Sequence, residues 1–74
     1  MRYTNFSRRE LEIIRCLANG ASQKEIARAL GMTPATVRHA IADAKRRAKA
    51  RTMAQLVALA VERSGTAWQV LKAP

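Results

Sequence analysis

The amino-acid sequence predicts an all-α domain built from four short helices. Helix start signals recur along the 74 residues, apolar residues return at spacings of three and four, and no segment alternates apolar and polar residues as a strand does. A chain of this length forms one domain with a small core. We therefore expect very regular helix packing or a partner subunit to supplement that core.

Capping side chains mark where each helix begins. Three pairs of residues have the capping-box spacing, and these are Ser7 with Glu10, Ser22 with Glu25, and Thr52 with Gln55. Thr33 caps the remaining helix, with Pro34 in its first turn, where a missing N–H costs nothing. The predicted helices span about residues 8–18, 23–30, 34–49 and 53–63, within a domain of residues 6–64 that lies between an N-terminal arm (1–5) and a C-terminal tail (65–74).

The second and third predicted helices are separated by residues 31–33 alone. A turn that short between two helices at a steep angle predicts a helix-turn-helix motif. Ala27 is small where the next helix crosses, Gly31 tolerates the positive φ that the turn needs, and Val37 can fill the angle between the helices. The complete set of three residues at this spacing, with caps on both helices, is a strong signal.

The charge balance points to a polyanionic partner. Fourteen Lys and Arg against five Asp and Glu give a net charge of +9, and the sequence pI is about 11.4. The basic residues cluster near the turn motif and not opposite a bulky apolar stripe, which favours nucleic acid over a membrane surface. The longest apolar run, residues 56–61, is too short to span a bilayer. We expect a cytoplasmic, nucleoid-associated protein.

The composition gives little indication of catalysis or of metal binding. One histidine and one cysteine, Cys16, give no set of residues with metal-ligand spacing, and no nucleophile, base and orienting group are brought together. We expect no enzyme activity, no cofactor and no metal. Cys16 reads as a small apolar residue on a helix in a reducing compartment.

The segment "FSRRELEIIRCLANGASQKEIARALGMTPATVR" resembles the LuxR-type (GerE-like) helix-turn-helix domain of bacterial transcription regulators. The matching residues are Phe6, Ser7, Arg9, Glu10, Ala18, Gly20, Lys24, Glu25, Ile26, Ala27, Thr33, Thr36, Val37 and Arg38. The resemblance covers residues 6 to about 63. It implies a four-helix domain whose third helix enters the major groove of double-stranded DNA and whose fourth helix pairs two subunits.

The segment "RTMAQLVALAVER" is most similar to the dimerising end of quorum-sensing members of that family. The apolar face of the fourth helix is also wider than one small core requires, although simple burial would explain it too. The expected homodimer contacts are Leu56, Val57, Ala60 and Val61. Such a dimer predicts a palindromic site with half-sites about one helical turn, roughly 10 base pairs, apart.

The resemblance places the base-reading positions at Arg38, His39 and Ala42, with Ala35 nearby. Arg38 follows the core position Val37 early in the third helix, and an arginine there can bind guanine O6 and N7 bidentately. The competing interpretation is an ordinary solvated arginine. His39 either donates to a base or phosphate or is merely exposed, and Ala42 can offer only a methyl contact.

Phosphate contacts are expected from the flanks of the third helix. The candidates are Thr33, Thr36, Lys24, Gln23, Lys45, Arg46 and Lys49. Thr33 is also an ordinary N-cap, and a charge run is usually a solvated helix face. Five cations nevertheless lie between residues 45 and 51, and Asp43 is the one carboxylate near them in the sequence. Their excess charge therefore favours phosphate binding.

The sequence also departs from the family pattern. Ala40, Ala48, Lys49 and Met53 stand where the family usually has histidine, leucine, glycine and arginine. With Lys49 in place of a helix-breaking glycine, the third helix is expected to run longer. The alanines on the reading face offer few hydrogen bonds, so shape and phosphate contacts should carry more of the affinity.

Two functions remain open from the sequence. The first is a dimeric, sequence-specific regulator, with RNA polymerase or another regulator as a possible further partner. The second is an antiactivator that binds another transcription regulator without needing DNA. No sensor domain precedes the helices, so the chain is free-standing or an excised output domain, and the initial methionine favours the first. Trp68 is expected to fold back on the domain, unless it anchors a partner.

Overall fold

The computed structural model describes residues 6–65 and residue 68, and within them every regular element is a helix. The helices are α1 (Arg8–Ala18), α2 (Gln23–Leu30), α3 (Pro34–Ala48) and α4 (Met53–Ser64). The all-α, four-helix prediction is confirmed. The N-terminal arm (1–5) and tail residues 66–67 and 69–74 lie outside the described residues.

The first two capping boxes form as the sequence predicts. The Ser7 hydroxyl accepts the N–H of Glu10 at 3.1 Å, and the Glu10 carboxylate accepts the N–H of Ser7 at 2.9 Å. Ser22 and Glu25 repeat the arrangement at 3.1 and 2.8 Å. Each box satisfies two backbone donors that a helix start otherwise leaves without a partner.

The third box is only half formed. The Thr52 hydroxyl accepts the N–H of Gln55 at 3.0 Å, but the Gln55 side-chain oxygen accepts the N–H of Arg51, at 2.7 Å, and not that of Thr52. The backbone at Thr52 is more extended, with φ at −127° against about −75° at the two serine caps. That difference brings the preceding N–H within reach of the amide.

All four helices contribute to one core. Its largest fully buried side chains are Ile13, Ile14, Ile26, Val37 and Leu56. α1 packs against each of the other three helices, and α3 packs against α1, α2 and α4. The inner face of α3 is formed by Val37, Ile41, Ala44 and Ala48, which recur at spacings of three and four and are all buried. Burying that face leaves the opposite side of α3 to the solvent.

α3 ends at Ala48, so the expectation of a longer helix is wrong. Lys49 takes the left-handed conformation (φ 60°, ψ 36°) that a glycine usually adopts at this position. The N–H of Lys49 donates to the carbonyl of Arg46, and the N–H of Ala50 donates to the carbonyl of Lys45. This is the pattern of a Schellman motif. Ala50 is buried in the core, and its burial helps to hold Lys49 in an unfavourable backbone conformation.

Trp68 folds back on α1. Its ring is half-buried against the core, and its carbonyl accepts a hydrogen bond from the Arg15 guanidinium at 3.0 Å. The guanidinium carbon of Arg15 also lies 5.2 Å from the centre of the ring, within the range of a cation–π interaction. The expectation for this residue is confirmed.

Candidate nucleic-acid interface

The turn between α2 and α3 has the geometry that the sequence predicts. Gly31 ends α2 in the left-handed conformation (φ 69°, ψ 37°), and the N–H of Met32 donates to the carbonyl of Ala27 at 2.8 Å. Ala27 is buried where the two helices meet, and Val37 is fully buried. These contacts hold α3 across α2 in a fixed orientation.

The outer face of α3 brings the predicted base-reading residues together. Ala35, Arg38, His39 and Ala42 are all exposed, and at 3.6 residues per turn they share the side opposite the buried face. No described carboxylate forms an ion pair with Arg38. A guanidinium is therefore available on the exposed face of α3, near the start of the helix.

The first turn of α3 can present two donors to an anion. The hydroxyls of Thr33 and Thr36 lie 2.8 Å apart, so one donates to the other and one O–H proton remains for an outside acceptor. The N–H of Thr36 is used by Thr33 at 3.2 Å, Pro34 has no N–H, and no described hydrogen bond uses the N–H of Ala35. One hydroxyl and one backbone N–H thus remain at the positive end of the helix.

α2 also carries exposed positive charge. Lys24 is exposed and Gln23 is half-buried in the first turn of α2. Arg28 is also exposed, and it lies four residues after Lys24, which places both cations on one side of the helix. Arg28 was not among the predicted contact residues, although this spacing was visible in the sequence.

The second half of α3 has a different environment. Arg46 and Lys49 are exposed and Lys45 is half-buried. The Arg46 guanidinium donates to one oxygen of Asp43, and the Nε of Arg47 donates to the other oxygen at 2.9 Å. These are pairs at i,i+3 and i,i+4 on one helix, so the sequence contained them.

Glu10 also reaches this cluster, from α1. Its second carboxylate oxygen accepts a hydrogen bond from Arg47, while its first caps α1. Asp43 is therefore not, as the sequence alone suggests, the only carboxylate that pairs with the cations of this segment. Glu10 and Arg47 are 37 residues apart, and only the packing of α1 on α3 brings them together. The hydrogen bond to Glu10 raises the pKa of the Arg47 guanidinium, partial burial opposes this increase, and the bond to Asp43 adds to it.

The profile of the GerE family, described as bacterial regulatory proteins, luxR family, matches residues 4–60. That match spans most of the 74-residue chain. The chain belongs to the luxR family. Its four helices are those of a DNA-binding helix-turn-helix domain, and members of this family are transcription regulators and not enzymes. Comparison with curated proteins and with solved structures finds no match.

The predicted subunit contacts of this luxR-family domain separate into two groups. Leu56 and Ala60 are fully buried in the core of their own domain, so a second chain cannot reach them, and their assignment to a dimer surface is wrong. Val61 is 43% exposed and Val57 is half-buried, and Met53, four residues earlier, is 36% exposed. The sequence shows two apolar stripes on α4, but only packing against α1 and α3 determines which one is buried.

Cys16 has the surroundings of a structural residue. It is buried, and its burial raises the pKa of the thiol, with the nearby charge of Glu12 adding to the increase. The thiol therefore stays protonated and is a poor nucleophile. Within residues 6–65 and residue 68 there is no group of three His, Cys, Asp or Glu that could hold a metal ion. No helix in the described part of the chain has the length and apolar character to cross a membrane.

Proposed function

We propose that this domain regulates transcription by placing α3 in the major groove, as a dimer on a palindromic site. The observation that carries the proposal is Arg38, an exposed arginine with no described ion pair, early in a helix that a tight turn fixes at an angle to α2. The N-terminal part of a recognition helix is the part that meets base edges. A protein bound to chromosomal DNA would be cytoplasmic and associated with the nucleoid.

Arg38 carries most of the proposed base recognition. Its guanidinium can donate two parallel hydrogen bonds to O6 and N7 of a guanine. His39 lies beside it with a ring that can donate to a base or a phosphate. Ala35 and Ala42 offer methyl groups alone, which suit contact with a thymine methyl. We therefore expect one strongly specified guanine in each half-site and weaker preferences at the neighbouring positions.

The phosphate contacts flank this reading face. The hydroxyls of Thr33 and Thr36 and the N–H of Ala35 lie at the start of α3, and the side chains of Lys24 and Gln23 lie at the start of α2. Lys45 and Arg46 lie about one turn beyond Ala42 on α3, where Arg46 also pairs with Asp43, and Lys49 follows the last residue of the helix. Arg28 extends the cationic side of α2. Phosphate contacts fix the position of the helix in the groove without reading the sequence. Each lysine or arginine that contacts a phosphate adds about one unit to the salt dependence of binding.

Dimerisation would use the exposed stripe of α4. Met53, Val57 and Val61 follow at intervals of four residues and leave apolar surface open to solvent. A second copy of the same helix can cover this stripe in a two-fold arrangement, in which each subunit presents the same patch. Two reading helices related by that symmetry require an inverted repeat with half-sites roughly 10 base pairs apart.

The decisive experiment selects bound duplexes from a random pool at physiological salt. We expect an inverted repeat with a guanine at one position of each half-site, and binding that weakens steeply as salt rises. A single isolated half-site would contradict the dimer. No enrichment, with no duplex binding even at low ionic strength, would contradict DNA recognition altogether.

Arg38→Ala tests the base contact on the selected duplex. Loss of a bidentate guanine contact is worth about 1–3 kcal/mol, or roughly five- to 150-fold in affinity, and it should relax the preference at that one position. Arg8→Ala is the matched control, because it removes the same charge from an exposed side chain on α1 that pairs with Glu12. Equal losses in the two variants would reduce the role of Arg38 to bulk charge. An antiactivator that acts through another regulator would tolerate Arg38→Ala in its regulatory activity.

A further inference from the structure

A continuous network of charged groups joins the start of α1 to the second half of α3. The Ser7 N–H donates to Glu10, Arg47 donates to both Glu10 and Asp43, and Arg46 donates to the remaining oxygen of Asp43. Two carboxylates thus face two guanidinium groups. Both arginines lie on the helix that is proposed to meet DNA, one to two turns beyond its reading face.

The two arginines are held to different degrees. The side chain of Arg46 is 74% exposed and bonds to Asp43, which lies on the same helix. Arg47 is 36% exposed and is held by carboxylates from two helices, one of which, Glu10, has only 14% of its side chain exposed. The exposed pair of Arg46 with Asp43 is weak and exchanges readily. The pair of Arg47 with Glu10 is fixed by the packing of α1 against α3.

We propose that Asp43 and Glu10 act as internal counter-ions that withhold Arg46 and Arg47 from DNA phosphates. The domain then binds non-specific duplex more weakly than its number of lysines and arginines would give. This inference rests on the proposed function of α3. Asp43 competes with a phosphate for the Arg46 guanidinium, and its negative charge lies beside any phosphate that Arg46 contacts. Arg47 keeps its carboxylates and positions α3 on α1.

The network would act on specificity through the phosphate contacts. Non-specific affinity comes almost wholly from cations that displace the counter-ions of DNA, whereas base discrimination comes from side chains in the groove. A reading face with two alanines discriminates weakly, so an excess of phosphate affinity would trap the protein on non-specific sites. A carboxylate near the groove lowers the phosphate contribution and leaves Arg38 unaffected.

Asp43→Asn is the direct test, with Glu62→Gln as the matched control. Both substitutions remove one negative charge, and Glu62 lies exposed on α4, outside the network. Affinity for a random-sequence duplex is measured from about 50 to 300 mM salt. For Asp43→Asn we expect about two- to five-fold tighter binding and a salt slope steeper by about one unit. Glu62→Gln should show a clearly smaller change in both quantities.

A double variant identifies the arginine that Asp43 withholds. Adding Arg46→Gln to Asp43→Asn should return the salt slope to that of the wild type, because the released guanidinium is gone. Adding Arg47→Gln instead should leave the slope steep. In Asp43→Asn, Glu10 still holds Arg47, so Arg47 adds nothing to the slope that its removal could reverse. The inference is overturned if Glu62→Gln tightens binding as much as Asp43→Asn, or if Arg46→Gln fails to reverse the gain.

Retention on immobilised heparin keeps this test separate from duplex recognition. Heparin is a polyanion without base pairs, and Asp43→Asn should elute from it at a higher salt concentration than Glu62→Gln. If the wild type ignores duplex DNA but this order holds on heparin, the proposed function fails and the counter-ion role of Asp43 stands. If the wild type binds duplex and the two variants elute together, the proposed function stands and the inference fails.

Discussion

Both halves of α3 carry exposed polar side chains, but only those of the second half form ion pairs within the described part of the domain. In the first half, Arg38 and His39 face solvent with no described ion pair. In the second half, Arg46 and Arg47 are bound to Asp43, and Arg47 also to Glu10. The first half is open for recognition of an outside partner, whereas the second half is partly neutralised within the domain.

The difference shows that a charge count overstates what a basic helix offers to DNA. The +9 of the chain is a sum over all residues, but four of the five carboxylates take part in caps or ion pairs of α1, α2 and α3. Affinity depends on the cations that can exchange their partners for phosphate. Specificity depends on the smaller number of side chains that have no competing partner.

The largest expected effect comes from Val37→Asp, which should unfold the domain and so disrupt both halves of α3. Val37 is fully buried in the angle between α2 and α3, and an unpaired charge there should cost roughly 3 kcal/mol or more. That loss is comparable to the whole stability of a small domain. We expect loss of helical circular dichroism at 25 °C.

Ala42→Asp is the matched control for that change. It places the same carboxylate on the exposed face of the same helix. The variant should stay folded, with an unfolding free energy within about 0.5 kcal/mol of the wild type, and should lose duplex binding through repulsion from phosphates. Equal unfolding of both variants would contradict the division of α3 into a buried and a reading face.

A smaller effect of opposite sign is expected from Lys49→Gly at the end of α3. Lys49 has a positive φ, which costs an L-residue about 1–2 kcal/mol and glycine nothing, although glycine gains flexibility in the unfolded chain. The net result should be a stabilisation of about 0.5–1 kcal/mol in urea unfolding. Lys49→Gln removes the same charge and keeps the left-handed strain, so it should show no gain. A gain of equal size in both variants would assign the effect to charge.

A similarly small effect, of destabilising sign, is expected from Arg47→Gln, which probes the fixed part of the network. The pair with Glu10 is partly exposed, so its loss should destabilise the domain by only about 0.5–1 kcal/mol in urea. The salt slope of duplex binding should stay unchanged, because Arg47 keeps its carboxylates when DNA is bound. A fall of one unit in that slope, with no loss of stability, would show that Arg47 contacts a phosphate after all.

The fold was largely accessible from local sequence signals. Capping boxes, Pro34 after Thr33, and Gly31 after α2 each act within a few residues, so their consequences follow from short-range chemistry. The resemblance to the luxR family gave the proposed base-reading positions around Arg38, and the place of Arg38 next to the core position Val37 predicted its exposure. The left-handed Lys49 did not, because the burial of Ala50 decides that conformation and burial depends on how the helices pack.

The features that the sequence could not supply all depend on long-range packing. Glu10 carries a capping signal, and nothing local shows that its second oxygen meets Arg47 on another helix. In the same way, the two apolar stripes of α4 look equivalent until α1 and α3 cover Leu56 and Ala60 and leave Val61 exposed. The charge partner of Arg47 on another helix and the exposed stripe of α4 are therefore features that only the three-dimensional structure reveals.

The position of Trp68 has a practical consequence. It is the single tryptophan of the chain, and its ring lies against Arg15 on α1. Its fluorescence therefore reports on the contact between Trp68 and the first helix, without interference from another indole. Loss of this contact can be followed optically while circular dichroism records whether the four helices persist.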